Sequence, residues 1–426
     1  MRTIPREHAL DSTLALLADP YRFIGRGCER HRSDLFEARI LLRRTLCMSG
    51  PVAAALFYDE RRFMRQGAAP EPLRATLFGK GGVQGLDGAA HRHRKALFMQ
   101  VLDAESVAQL ANEVAEEWRA CAAAWQGWRR VLLYEAAQEL LTRAACRWAG
   151  VPLAARELPL RTRQLSTLFD AAASWHHLHA RAARHAAESW LAGLVERVRA
   201  GGLPGAGGRP LEAVALHREA DGQLLPPRLA AVELLNLLRP TVAVSVFIVF
   251  AAHALHEFPH SLAVLQRGDG DPLQWFVQEV RRFYPFFPAV AARARDEFEW
   301  HGYSFRQGQR VLFDLYGTNH DARVWEAPDE FRPERWRDRV PGPYEFVPQG
   351  GGDPHQQHRC PGEGVAQALL KVSVDFLARR LGYDVPQQDL RIDFRRLPAL
   401  PRSHFIMCDV TPLPHPAWPS FAFTPS

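Results

Sequence analysis

The chain has 426 residues, of which 47% are hydrophobic and 23% are charged, and its formal net charge is +6. This composition suits a folded protein with a large core and excludes disordered and collagen-like classes. The charge is spread along the chain without a block of like residues, so we expect no nucleic-acid partner. No low-complexity linker divides the chain, and we expect one large domain over residues 1–426.

The six cysteines are widely separated and form no CxxC pair, so we expect free thiols in a reducing compartment. The N-terminal residues lack the continuous apolar stretch of a signal peptide. The longest apolar run, residues 242–252, is shorter than the roughly 18 residues that a membrane-spanning helix needs. We therefore expect a cytoplasmic protein without an integral membrane segment.

Helical periodicity dominates the first half of the chain. At residues 104–125 and 180–200, apolar side chains recur every three or four positions, which predicts two long amphipathic helices. The compositions of residues 201–210 and 219–228 predict loops, and Pro226 or Pro227 can open the long apolar helix that follows.

Strand-like alternation is confined mainly to residues 297–315, where Gly302 and Gly308 suggest short antiparallel pairs. A proline-rich segment and then a glycine-rich loop, residues 346–364, follow. The loop leads into a final helix that we expect to end at Gly382. The predicted fold is mainly α with small β-sheets.

Cys360 lies in the glycine-rich loop, directly before the final helix. Backbone N–H groups at such a helix start are expected to lower the pKa of the thiol, and the thiolate could bind a metal or act as a nucleophile. A lone cysteine is also commonly a small buried hydrophobe, so spacing alone leaves all these roles open.

Glu279 and Arg282 stand three residues apart on one predicted helix, a pairing that is often mere surface decoration. Their order relative to the next motifs is more specific: Glu-x-x-Arg, small strands, "PDEFRPERW", and the cysteine loop. This order resembles the cytochrome P450 superfamily, most closely over residues 230–385. The resemblance implies a P450 fold with haem b, whose iron is held by a cysteine thiolate.

The resemblance implies several roles within that fold. Cys360 matches the metal ligand, Gly362 the glycine two residues on, and His358 a haem-propionate donor. Further propionate partners implied by position are His91, Lys95, Arg293 and Arg65, although basic residues on a solvated helix face are the alternative for each. Glu279, Arg282 and Arg335 match a structural ion network.

The cysteine loop departs from the common monooxygenase pattern. Phe346 and Gly350 stand farther from Cys360 than usual, and the inserted "GGGDPHQQHRC" is similar to the fatty-acid peroxygenase branch. Gln357 occupies a place where that branch often has glycine, which leaves the shape of the loop open.

Arg239 and Pro240 interrupt the long apolar helix, at the places where most cytochromes P450 carry the acid and the alcohol that deliver protons. None of the four helical neighbours on either side of Arg239 is acidic. A buried unpaired charge is costly, so the guanidinium needs an anion from elsewhere, and the carboxylate of a bound fatty acid would supply it. Pro240 removes a backbone hydrogen bond and is expected to widen the helix there.

A carboxylate held by Arg239 could itself relay the proton that cleaves hydrogen peroxide, and its position would direct hydroxylation to the α or β carbon of a long-chain fatty acid. No redox partner would then be required. Phe78 and Gln84 match distal-pocket positions of the same branch, in which glutamine is associated with hydroxylation and histidine with decarboxylation, a possible side activity here. Phe286, Phe287 and Val290 are candidate apolar walls, or plain core residues.

Other functions stay open at this point. Thr241 could serve as the usual alcohol of a conventional monooxygenase that is fed electrons by a ferredoxin and a reductase. A non-catalytic haem sensor and a haem-free cysteine hydrolase are the remaining alternatives.

Overall fold

The computed structural model describes residues 2–170, 177–203, 207–268 and 271–414. The α-helices in these ranges are α1 (Thr13–Ala18), α2 (Phe23–His31), α3 (Pro51–Phe57), α4 (Glu71–Leu73), α5 (Gly88–Val101), α6 (Ala104–Trp125), α7 (Leu133–Ala149), α8 (Leu158–Asp170), α9 (His177–Arg199), α10 (Pro210–Leu216), α11 (Pro227–Glu257), α12 (Pro259–Arg267), α13 (Asp271–Phe283), α14 (Leu315–Asn319) and α15 (Glu363–Asp375). The helices expected at 104–125, 180–200 and from Pro227 are confirmed. The loop expected at 201–210 includes residues 204–206, outside the described ranges.

The strands are β1 (Leu35–Ile40), β2 (Arg43–Met48), β3 (Phe63–Met64), β4 (Val131–Leu132), β5 (Ala289–Ala294), β6 (Phe298–Trp300), β7 (Tyr303–Phe305), β8 (Arg310–Asp314), β9 (Leu381–Asp384) and β10 (Ile406–Pro412). They form a five-stranded sheet in the order β1-β2-β8-β5-β3, a three-stranded sheet β4-β10-β9 and the hairpin β6-β7. Among the paired strands of the described residues, β2 and β8 run parallel and the other pairs are antiparallel. The predicted class, mainly α with small sheets, is confirmed.

Helix α11 forms the centre of the larger hydrophobic core. It packs against α7, α9 and α15. It is long and apolar enough to cross a membrane, but 94% of its most apolar 18-residue window is buried inside the protein. Its hydropathy is therefore explained by its place in the core.

The short antiparallel pairs expected around Gly302 and Gly308 are present, because β6 pairs with β7 and β8 pairs with β5. Strand β8 pairs in addition with β2, in parallel. Val311 and Phe313 pack into one core while Leu312 packs against another, so β8 is covered on both faces and takes the middle of the larger sheet.

The final helix ends earlier than expected. After α15, residues Phe376–Arg380 form a π-helical turn, and Gly382 lies within β9. A Cβ atom at Gly382 would lie 2.9 Å from Thr411 Oγ1 on β10. The glycine therefore serves the close approach of two strands and is not a helix cap.

Candidate active site

Cys360 lies two residues before the N-cap of α15, inside the protein. Its N–H donates to Gln349 O at 3.0 Å. Burial raises the pKa of the Cys360 thiol, and the N–H of Gly362 and the charges of Lys95 and Arg239 offset this only partly. The predicted net lowering is wrong for the polypeptide alone, because desolvation of the thiolate outweighs one N–H donor.

The side chain of Gln357 braces the cysteine loop from within. Its Oε1 accepts from the N–H of Asp353 at 2.7 Å, and its Nε2 donates to Tyr58 O at 2.6 Å. A Cβ atom on Gly352 would lie 1.8 Å from Gln357 Oε1, and Gly352 has a φ of +85°. Glycine at 352 thus makes room for glutamine at 357, which explains how the loop accommodates this departure from its branch.

Ion pairs fix the helices behind the loop. Glu279 binds Arg282 through two bonds of 2.8 and 2.9 Å, and it also accepts from Arg335 Nε at 3.1 Å. The side chains of Glu279 and Arg282 are fully buried. The predicted network of these three residues is present. Nearer Cys360, Arg281 and Arg359 both bind Glu363 in the first turn of α15.

His91, His358, Arg65 and Lys95 meet beside the cysteine loop. The rings of His91 and His358 stack with their centroids 3.9 Å apart. Lys95 donates to the backbone oxygens of Gln357 and Arg359. Among the described residues, three buried nitrogens here make no hydrogen bond, namely His91 Nδ1, His358 Nε2 and Arg65 Nη1. His91 Nδ1 lies 3.6 Å from Glu60 Oε1, and His358 Nε2 lies 3.6 Å from Asp87 Oδ1.

These orphaned nitrogens fit the carboxylates of a haem. Burial lowers the pKa of His91 to about 3 and that of His358 to about 4, so both rings are neutral and each can donate one N–H. Glu60, His91 and His358 lie close enough to hold a cation, but the buried guanidinium of Arg65 beside them favours an anion. Arg293 donates to Gly308 O at 3.4 Å, and its role at a propionate stays a prediction.

Arg239 is 6% exposed and has no salt bridge within the described ranges. Its one hydrogen bond there runs from Nη2 to Asn236 Oδ1 at 3.5 Å, and its Nε has no partner. Burial, reinforced by the charge of Arg184, lowers the pKa of Arg239 to about 9, while Cys360 opposes the shift. Arg239 and Cys360 thus each favour the charged form of the other.

A polar chain leads away from Arg239. Asn236 Nδ2 donates to Gln84 Oε1 and to Glu233 Oε2, both at 3.1 Å. Glu233 is fully buried and accepts from Arg94 Nη1 at 2.6 Å. The structure thus links Gln84 to Arg239 through Asn236, and the role of Gln84 in the distal pocket stays a prediction. Sequence reasoning missed Glu233 and Arg94, although an acid inside an apolar helix signals that a buried cation must pair with it.

Arg184 on α9 is a second buried cation near this site. Its Nη1 donates to Thr76 O at 3.0 Å and to Leu77 O at 3.2 Å, at the end of the π-helical turn Arg74–Phe78. Its Nε binds Glu188 Oε1 at 2.6 Å. A Cβ atom at Gly79 would lie 2.1 Å from Arg184 Nη2. Arg184 therefore holds the turn that carries Phe78.

The predicted apolar residues pack against two hydrophobic cores, one around α11 and one on the large sheet. Phe78 and Phe286 pack against the α11 core, Val290 packs against the sheet core, and Phe287 touches both. Pro240 lies inside α11, which continues without a break. Thr241 Oγ1 donates to Leu237 O within the same helix at 2.9 Å.

Residues 272–405 match the family described as Cytochrome P450. Among curated proteins, Cytochrome P450 71D18 of Mentha gracilis is 30% identical over 134 residues, which are 30% of this chain and 26% of that protein. A putative cytochrome P450 139 of Mycobacterium tuberculosis is 32% identical over 27% of each chain. The chain thus aligns with only about a quarter of the length of these curated relatives.

Solved structures match over nearly the full length. Cytochrome P450SP alpha (CYP152B1) in complex with (R)-ibuprophen is 50% identical, with a TM-score of 0.92 over 94% of this chain and 99% of that one. Cytochrome P450EX alpha (CYP152N1) with myristic acid is 42% identical, with a TM-score of 0.94 over 97% and 100%. A variant of cytochrome P450 OleT with arachidonic acid is 29% identical, with a TM-score of 0.94 over 98% and 100%.

The fold and the cysteine loop define a haem-thiolate oxidoreductase. The chain belongs to the cytochrome P450 family, and within it to the fatty-acid peroxygenase branch. Its cofactor is haem b, with the iron held by the Cys360 thiolate.

Proposed function

We propose that this enzyme uses hydrogen peroxide to hydroxylate long-chain fatty acids at the α or β carbon. The observation that carries the proposal is the buried guanidinium of Arg239, which has no anionic partner among the described residues. Solved relatives in complex with myristic and arachidonic acid support a fatty acid as the ligand.

The fatty-acid carboxylate completes the electrostatics of the site. The pKa of Arg239, lowered to about 9, still leaves the side chain charged at neutral pH. A charge-assisted bond to a carboxylate contributes about 1.5–3 kcal/mol, and pairing removes the larger penalty of a buried lone charge. The substrate head group therefore docks at Arg239, beside Cys360.

The bound carboxylate is also the acid–base group of the reaction. Among the described residues of α11, the only acid near Arg239 is Glu233, and it is committed to Arg94 and Asn236. Thr241, the best argument for a conventional monooxygenase, binds the carbonyl of Leu237. A proton therefore moves to and from peroxide through the substrate carboxylate held by Arg239.

The overall reaction balances without an external electron donor: R–H and H₂O₂ give R–OH and H₂O. Haem bound at Cys360 supplies the oxidative chemistry. Because the head group is fixed at Arg239, the α and β carbons lie nearest the reacting centre. Gln84 positions Asn236, and Phe78, Phe287 and Val290 line the acyl chain. Decarboxylation is proposed as a side activity.

The remaining predictions accompany this proposal. His91, His358, Arg65, Lys95 and Arg293 bind the haem propionates. No ferredoxin or reductase is required. Residues 1–426 act as one haem-binding domain, and the six free cysteines support a cytoplasmic location.

The test is product analysis after hydrogen peroxide and fatty acids of different lengths are added to the purified holoenzyme. We expect α- and β-hydroxy acids without NAD(P)H. Arg239→Ala should reduce turnover at least a hundredfold, whereas the matched control Arg228→Ala, an exposed arginine on α11, should leave it unchanged. Full activity of Arg239→Ala, or turnover only with NAD(P)H and redox partners, would refute the proposal.

A further inference from the structure

Five exposed leucines form one patch at the N-terminal side of the large sheet. Leu10, Leu14 and Leu17 belong to α1 and its approach, and Leu41 and Leu42 form the turn between β1 and β2; their exposed fractions are 85%, 81%, 47%, 55% and 78%. The two segments are joined, because Leu41 N–H donates to Thr13 Oγ1 and Leu42 N–H donates to Asp11 Oδ2, both at 2.6 Å. We call these five residues the leucine patch.

The turn at the tip of this patch adopts a conformation that leucine disfavours. Leu41 and Leu42 have φ values of +54° and +58°, and they connect strands whose last pair is Ile40 and Arg43. Such a two-residue hairpin turn favours asparagine and glycine. Leucine at both positions combines backbone strain with apolar exposure.

Unpaired positive charge borders the patch. Arg39 and Arg43 are exposed, and neither forms a salt bridge within the described ranges. Arg43 directly follows the leucine turn, and Arg39 precedes it by one residue, Ile40. Asp11 accepts from the N–H groups of Thr13 and Leu42 and carries one negative charge, so these three side chains have a net charge of +1 (+2 − 1). The surface thus presents apolar side chains within a basic border.

We propose that the leucine patch docks this protein on lipid bilayers that carry anionic headgroups. Leucines on a protruding turn can enter the acyl region, while the flanking arginines remain at the phosphate level. Charge complementarity favours this partner over a second copy of the chain, whose patch would bring the same arginines together. This docking does not depend on the proposed function. The proposed function supplies a reason for it, because long-chain fatty acids reside in bilayers.

The test is vesicle co-sedimentation of the holoenzyme, without peroxide, so that the outcome is independent of turnover. We expect binding to vesicles of phosphatidylcholine with 30% phosphatidylglycerol, and binding at least about tenfold weaker to phosphatidylcholine alone. The double variant Leu41→Asn/Leu42→Gly suits the turn and should keep or raise the melting temperature. It should lower vesicle binding at least about tenfold.

Two further variants separate the contributions. Arg39→Gln/Arg43→Gln should lower binding to anionic vesicles about tenfold and remove most of its salt dependence. Leu160→Asn, at an exposed leucine on α8, should change nothing. The proposal is overturned if the wild type does not bind, if Leu41→Asn/Leu42→Gly binds equally well, or if sedimentation velocity shows that the patch instead holds two copies together.

Discussion

Gln84 and Asn236 are 152 positions apart in sequence and are joined by a hydrogen bond of 3.1 Å. Asn236 also accepts from Arg239 at 3.5 Å. The pair therefore links the turn before α5 to the guanidinium on α11, and it sets the position of the group that receives the substrate carboxylate.

Gln84→Leu should weaken fatty-acid binding. It removes the acceptor of one Asn236 N–H, and a lost neutral hydrogen bond costs about 1 kcal/mol, which corresponds to roughly fivefold in KM. The ratio of α- to β-hydroxylated product should also change, because Arg239 becomes less well positioned. Steady-state kinetics with product analysis measures both quantities. Gln109→Leu, on the exposed face of α6, is the control, and unchanged kinetics of Gln84→Leu would contradict the linkage.

Arg184→Ala should loosen the turn that carries Phe78. The change removes the bonds from Arg184 to the carbonyls of Thr76 and Leu77, and it removes a cation that lowers the pKa of Arg239. We expect a loss of about 2 kcal/mol in the free energy of unfolding and a higher KM. Urea unfolding and kinetics measure these effects. Arg181→Ala, a half-exposed arginine on the same helix, should show neither.

Glu279→Gln should destabilise the fold by about 3 kcal/mol, because it leaves Arg282 buried without its counter-ion. Burial would raise the pKa of Glu279, but its bonds to Arg282 and the charge of Arg335 outweigh this and hold the pKa below its usual range. The wild type should therefore lose this stabilisation as the pH falls below about 4.5.

Urea unfolding of both proteins between pH 7 and pH 3 measures this difference. The difference in free energy of unfolding between the wild type and Glu279→Gln should become smaller as the pH falls. Glu299→Gln, at an exposed position on β6, should behave like the wild type at every pH. A gap that does not depend on pH would show that Glu279 contributes by packing alone.

Asp314→Asn should stabilise the protein at alkaline pH. Burial raises the pKa of Asp314 from 3.8 to about 7, so folding favours the protonated form. This stabilisation is complete below pH 4 and is lost as the pH rises through 7. Asparagine can still cap α14 by accepting from the N–H of Gly317.

Thermal melts at pH 5 and pH 8 test this directly. At pH 8 the free energy of unfolding of the variant should exceed that of the wild type by a few kcal/mol at most. At pH 5 this difference should be smaller. Asp296→Asn, at an exposed turn, is the control. Equal pH profiles of Asp314→Asn and the wild type would contradict the raised pKa.

Local sequence patterns were sufficient to predict many of the helices and several residues of the site. The periodicity of α6 and α9, the start of α11 at Pro227 and the pairing of Glu279 with Arg282 depend on residues that are neighbours in sequence. The cysteine of the loop and Arg239, inside the apolar part of α11, were recognisable for the same reason, since each is chemically out of place in its own segment.

Contacts between distant segments decided the rest. Strand β8 lies in the middle of the large sheet because two cores cover its faces, and Gly382 belongs to a strand because β10 passes close to it. The same holds for Glu233 and Arg94, which pair between α11 and α5, and for the bonds of Arg184 to the π-helical turn Arg74–Phe78. The sequence by itself determined the class, the thiolate ligand and the unpaired Arg239. Only tertiary structure decided which groups surround them, because burial and pairing energies depend on neighbours that the order of residues does not specify.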